Sequence, residues 1–379
     1  MLITAWQGEG MTTPIADRLG IEFPLFAFSH CRDVVAAVSK AGGYGVLGAL
    51  AYSPDQLEIE LSWIDDNVGG KPYGVDFAMP EKFVGKGDDF DLNSLQDMIP
   101  EQHREYVEHV LDEHGVPPLP DGDEGVLKAA GLAVEVEGPG QIDVVLEHPV
   151  SMIVNALGPP PPYVVEAAHS NGVLVGALCG SARHAERNVE RGVDVLVAQG
   201  TEAGGHCGEI STMVLIPDVV DAVGPDVPVL AAGGIGRGRQ MAAAMALGAQ
   251  GAWTGSIWLT CAESDTQPWV IEKLLKAGYS DTVRSRAMTG KPARQLRTAW
   301  TEAWETEDGP APLPMPLQGL LYAPAAHRFS RVQNDALSGS PVGQIVGLMD
   351  KVRPAKDIVF DIVEEWIETT QKMSESLAD

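Results

Sequence analysis

Eight short apolar runs, rich in β-branched residues and nearly unbroken by polar positions, constrain the fold of this chain more than any other feature. They are Pro24–Ser29, Tyr44–Ala49, Tyr73–Met79, Val150–Leu157, Leu174–Cys179, Val193–Gly200, Val227–Gly234 and Gly251–Trp258. A strand with one face in water alternates apolar and polar side chains. A strand covered on both faces has no such need, so continuous runs mark parallel sheets. Parallel strands require crossovers, and segments of helical length separate most of these runs. In Ala182–Arg191 the positions Ala182, Ala185 and Val189 recur at three- and four-residue spacing, and Gly192 stands where a left-handed residue ends a helix. Arg239–Leu247, followed by Gly248, repeats the pattern. Eight strand–helix units predict an α/β protein built as a closed (β/α)8 TIM barrel rather than an open doubly wound sheet.

Two stretches break the rhythm. Residues 81–142, between the third and fourth strands, are long, polar and acidic, and predict one helix at Glu101–Glu113 followed by a Pro/Gly-rich loop. Such an insertion can be a lid or a passive surface excursion. Residues 264–379 read as a C-terminal extension packed on a barrel of residues 1–263. The extension holds a proline-rich loop and a final helix from about Pro354 to Ser374.

The formal charge of −27, from 53 acidic and 26 basic residues, disfavours nucleic acid and anionic membrane partners. Any phosphate bound by such a chain must be held by local backbone N–H groups rather than by a general basic field. Cys31, Cys179, Cys207 and Cys261 are scattered without a C-x-x-C pair, so neither a disulfide framework nor a zinc site is expected. No secretory signal and no apolar window of membrane-spanning length stands out, so a cytoplasmic location is expected. A homodimer is compatible with the sequence.

The chemistry concentrates at the carboxyl ends of the late strands, where barrel active sites are built. Ala198-Gln-Gly-Thr-Glu-Ala-Gly-Gly-His206 follows the sixth run. Gly204 and Gly205 let backbone approach a flat ligand, and His206 is a candidate catalytic base. Gly233 and Gly234 end the seventh run, and Thr254, Gly255 and Ser256 end the eighth. Consecutive glycine turns there suit a phosphate site made of backbone donors. Cys207 beside His206 is expected to point away from it. His30 and His184 are read as structural, and Trp300, Trp304 and Tyr322 as packing within the extension.

The segments AQGTEAGGH, PVLAAGGIG and GAQGAWTGS, with the early IEFPLF, VAAVSKAGGYGVLG and KPYGVDF and the later KPARQLR and SPVGQIVGL, resemble the nitronate monooxygenase family. The resemblance implies an FMN-dependent oxidoreductase acting on a small-molecule substrate with O2. It implies that His206 removes the α-proton of a nitroalkane, and that Gln199 and Gly204 lie by the flavin ring and ribityl chain. Gly233, Gly234, Gly255 and Ser256 match the phosphate turns, Ser181 a small polar position near the cofactor. Ala27, Phe28, Asp76, Gly205 and Thr254 complete the implied cofactor set. The chain departs from the family pattern in several places: Asp76 replaces a usual Asn, Phe26-Ala-Phe-Ser-His30 a usual Ala-Pro-Met, Gly255-Ser-Ile-Trp258 a usual Gly-Thr-Arg-Phe, and Cys207 a frequent Arg. These departures leave open an NAD(P)H-dependent FMN reductase acting on an enoyl or acyl thioester or a quinone, and a flavin-binding protein without turnover.

Overall fold

The computed structural model describes residues 12–50, 52–79, 92–120, 139–306 and 309–378. Eight parallel strands close into a barrel in the order β1 (Leu25–Ser29), β2 (Tyr44–Gly48), β3 (Tyr73–Phe77), β4 (Met152–Asn155), β5 (Leu174–Cys179), β6 (Val195–Gln199), β8 (Val229–Ala232) and β9 (Gly251–Thr254). The seam is made by β1 against β9, with Leu25 opposite Ala252 and Ala27 opposite Thr254. Every strand is covered on both faces, which is why its sequence reads as apolar without alternation.

Alternate side chains nevertheless serve two cores. Phe26, Tyr44, Val46, Met152, Val154, Val195, Val197, Leu230 and Trp253 fill the barrel interior. Ile15, Ala16 and Leu19 of the short helix Pro14–Leu19 join this inner cluster, and Ile15 N donates to Gln250 Oε1 at 3.2 Å. The intervening positions, such as Leu25, Ala27, Leu47, Val75 and Leu196, pack outward against the helices. The last helix, Ala355–Ala378, returns to pack on the 238–246 and 32–40 helices and so fills the position next to β9. Gly238 permits the approach, because a Cβ there would lie 2.2 Å from both Ile362 O and Trp366 N.

A second apolar cluster lies beyond the strand ends and joins two segments far apart in sequence. Val107, Val110 and Leu111 of the insertion helix Glu101–Glu113 meet Trp300, Trp304, Leu320, Leu321 and Phe329 of the extension. Arg328 Nη1 donates to both carboxylate oxygens of Glu108 at 2.6 and 2.7 Å, and its Nε reaches Pro117 O at 3.0 Å. This part of the acidic insertion is therefore a packed cap element. The segment 121–138, which holds much of its Pro/Gly-rich loop, lies outside the described residues.

Candidate active site

The inward positions of the last strand layer form the floor of a cavity of about 510 Å³ at the carboxyl end of the barrel. Phe28, Gly48, Asp76, Leu178, Gln199, Ala232 and Trp253 belong to that layer and line it. Its volume lies in the range of small-molecule sites. Eleven of the residues singled out above line it: Phe28, Asp76, Gln199, Gly204, Gly205, His206, Gly233, Gly234, Thr254, Gly255 and Ser256. Two do not. Ala27 has the opposite strand parity and is fully buried in the outer core. Ser181 caps the 182–190 helix, its Oγ accepting from His184 N at 3.3 Å.

One end of the cavity is backbone-rich. Gly233 and Gly234 have φ of 97° and 71°, a left-handed pair that a side-chain-bearing residue adopts only with strain. Thr212 fixes this turn: its Oγ1 sits 2.9 Å from both Gly233 O and Glu202 Oε2, and its N–H donates to the same Glu202 oxygen at 2.9 Å. Glu202 is thereby spent on holding two loops together. The Thr254 hydroxyl donates to Phe26 O at 2.8 Å, so it closes the barrel seam and is not aimed at a ligand. Ser256 Oγ accepts from Gly343 N at 2.8 Å, which leaves its own O–H able to donate.

His206 also lines the cavity. The loop after β6 folds into a two-residue strand β7 (Gly205–His206), which pairs antiparallel with β11 (Ala293–Leu296), itself paired with β10 (Thr282–Ser285). Buried Arg294 ties this sheet to the loop, donating from Nε to Thr201 O at 2.7 Å and from Nη1 to Thr282 Oγ1 at 3.1 Å. His206 Nε2 lies 2.7 Å from Thr289 Oγ1. Burial of the ring, with the Lys291 ammonium adding to it, pushes the His206 pKa down to about 4. The imidazole is therefore neutral at pH 7. Cys207 turns away as expected, its Sγ facing Thr201 O at 3.6 Å, and burial raises its thiol pKa.

Asp76 is the other titratable group of the floor. It is 5% exposed, its Oδ1 has no hydrogen-bond partner, and burial lifts its carboxyl well above the usual carboxylate range. Sequence reasoning assigned no role to several further lining residues. Met288 and Thr289 come from the loop between β10 and β11, Pro341 and Gly343 from the late SPVGQIVGL segment, and Asp265 from the start of the extension. A charged Glu202 inside a glycine loop was the one local signal of this kind. His30, read as structural, lines the cavity while its Nδ1 sits 3.0 Å from Gly48 O.

Comparisons with known proteins bear on the family and the fold. The family model for nitronate monooxygenase matches residues 14–365. A Mycobacterium tuberculosis protein bearing the provisional name monooxygenase is 52% identical over 371 residues, 96% of this chain and 98% of its own. A Staphylococcus saprophyticus protein with the provisional name nitronate monooxygenase is 29% identical over 337 residues, 82% of this chain and 85% of its own. Among solved structures, the nitroalkane oxidase of Streptomyces ansochromogenes superposes with a TM-score of 0.78 at 26% identity, covering 94% of this chain and 99% of the other. FabK from Thermotoga maritima gives 0.72 at 29%, covering 97% and 100%. The chain belongs to the nitronate monooxygenase family of flavin-dependent oxidoreductases.

Proposed function

We propose that this enzyme binds FMN in the barrel-mouth cavity and oxidises nitronates, and nitroalkanes through His206, with O2 as the electron acceptor. The residues fit such a cofactor. The left-handed Gly233–Gly234 turn, the Gly255 backbone and the Ser256 hydroxyl suit a phosphate in a chain with no general basic field. The apolar layer of Phe28, Leu178 and Trp253 suits a flat ring. The amide of Gln199 and the Asp76 carboxyl, whose Oδ1 is buried without a partner, suit its polar edge. When bound, FMN supplies the two-electron acceptor and the reaction with O2.

The observation that carries the reading is the state of His206: a neutral imidazole on the cavity wall, held by Thr289 and faced by the Lys291 cation rather than by a carboxylate. As base it needs the tautomer in which Nε2–H donates to Thr289 Oγ1, leaving the Nδ1 lone pair for the substrate's α-proton. A pKa of about 4 makes it a weak base, so a preformed nitronate, which needs no deprotonation, is the easier substrate. An anionic substrate also gains from Lys291, whereas the imidazolium formed from a neutral nitroalkane does not.

His206→Ala separates these roles. Turnover of a neutral nitroalkane is expected to fall by about 10²–10⁴-fold, the usual contribution of a positioned base, while turnover of the preformed nitronate falls far less. Equal losses for both substrates, or none for either, would remove His206 from the base role.

A further inference from the structure

Asp76 stands where an amide would make a permanent hydrogen-bond donor, and its surroundings decide what a carboxyl can do there. Its β-ladder partners are Gly48 on β2 and Val154 on β4, neither of which is charged. The neighbouring Asn155 spends its amide on Met79 N, Met79 O and Gly158 O. The titratable groups lining the same cavity are His30, His206, Glu202 and Asp265. His30 is held against Gly48 O, His206 is neutral, Glu202 is taken up by Thr212, and Asp265 is itself acidic. Among the described residues no ion pair is recorded for Asp76, and Oδ1 is buried without a partner. An ionised carboxylate in that position would be desolvated with no compensating cation.

We propose that Asp76 is a neutral carboxylic acid at physiological pH and that its O–H donates a hydrogen bond to an acceptor on the ring edge of the bound flavin, a contact that ionisation switches off. The donor half of this inference rests on the FMN reading above; the protonation half does not. The direction of the carboxyl's shift agrees, with burial as the main cause and the Ala156 backbone N–H working against it. A protonated carboxyl has one O–H to give, as an amide has N–H, whereas the ionised form can only accept. The usual Asn is then replaced without loss of the donor at neutral pH, but with a pH limit that Asn lacks. Above that limit the enzyme loses a hydrogen bond and gains a negative charge beside the flavin, so both FMN affinity and reduction potential fall.

The test uses the full chain, with Asp76→Asn as the isosteric variant and Asp76→Ala as the deletion. An infrared difference spectrum of the FMN-free protein, wild type minus Asp76→Asn, is expected to show a protonated-carboxyl C=O band at pH 7 that disappears as pH is raised. FMN titrated by fluorescence quenching is expected to bind Asp76→Asn within about threefold of wild type at pH 7, with no loss where the band disappears. Wild type should lose about tenfold over that range, and Asp76→Ala about tenfold throughout, as for a buried hydrogen bond left unmade. FMN binding without the infrared band at pH 7, or Asp76→Asn and wild type losing affinity in parallel, would overturn the proposal. The band without any FMN binding would overturn the flavin reading and the donor role while leaving the protonation standing.

Discussion

Burial and the Lys291 ammonium together set the chemistry of His206. Burial is the first reason the imidazole titrates near 4, and the Lys291 ammonium is the second. Because an unfolded histidine titrates near 6.5, the unfolded chain binds the extra proton between about pH 4 and 6.5. The stability associated with His206 is thus fully present above about 6.5 and declines as pH falls through that window. The same group predicts the activity profile. With a neutral nitroalkane, kcat/KM should rise with pH through an acid limb near 4 and be flat around neutrality. Lys291→Met is expected to move that limb upward without abolishing it, since burial remains. A limb unchanged in position in Lys291→Met would show that the cation does not govern the base. That His206, Gln199 and the glycine turns line one cavity was legible in the sequence, because their position just past an apolar run marks the carboxyl end of the barrel. Ala27 and Ser181 do not line the cavity, which family position alone does not foretell. Strand parity turns the first outward, and helix capping consumes the second.

At the scale of elements, the strands were legible because burial on both faces leaves a continuous apolar signal, and the observed ends differ from the expected ones by a few residues. The largest difference is the eighth run, expected to extend to Trp258. The strand stops at Thr254, and Ser256–Thr260 forms a 3-10 turn whose Ile257 and Trp258 pack into the outer core. An apolar run cannot distinguish a strand from a buried turn by periodicity. The insertion helix was found at its observed bounds, Glu101–Glu113, but its docking on the extension carries no local signal, because the partners lie some two hundred positions apart. That docking reaches the site. Trp300 Nε1 donates to Ala287 O at 3.1 Å, Gln318 Nε2 to the same oxygen at 3.0 Å, and the adjoining Met288 and Thr289 line the cavity. Trp300→Ala should cost about 3–5 kcal/mol of stability in this cluster, as large-to-small changes in packed cores do. It should also loosen Thr289, so that nitroalkane turnover falls more than nitronate turnover. A loss of melting temperature with unchanged substrate preference would confine Trp300 to packing.

For the whole molecule, the acidic charge and the candidate phosphate turn describe one design. A chain with a net charge of −27 is a poor host for anions except where backbone donors converge, and the proposed function assigns that role to the Gly233–Gly234 and Gly255–Ser256 turns. Among the described residues no helix is long and apolar enough to cross a membrane, and no group of His, Cys, Asp and Glu is arranged to hold a metal. In the proposed function the redox chemistry belongs to the flavin and to what the cavity walls do to it. The most direct measurement is the anaerobic absorbance spectrum of the protein incubated with FMN and freed of unbound flavin, recorded before and after a nitronate is added to one portion and NADH to another. The account predicts an oxidised-flavin spectrum that a nitronate bleaches and NADH does not. Bleaching by NADH alone would contradict it and make the chain an NADH-dependent reductase, and the absence of any flavin band would contradict the assignment of the cavity itself.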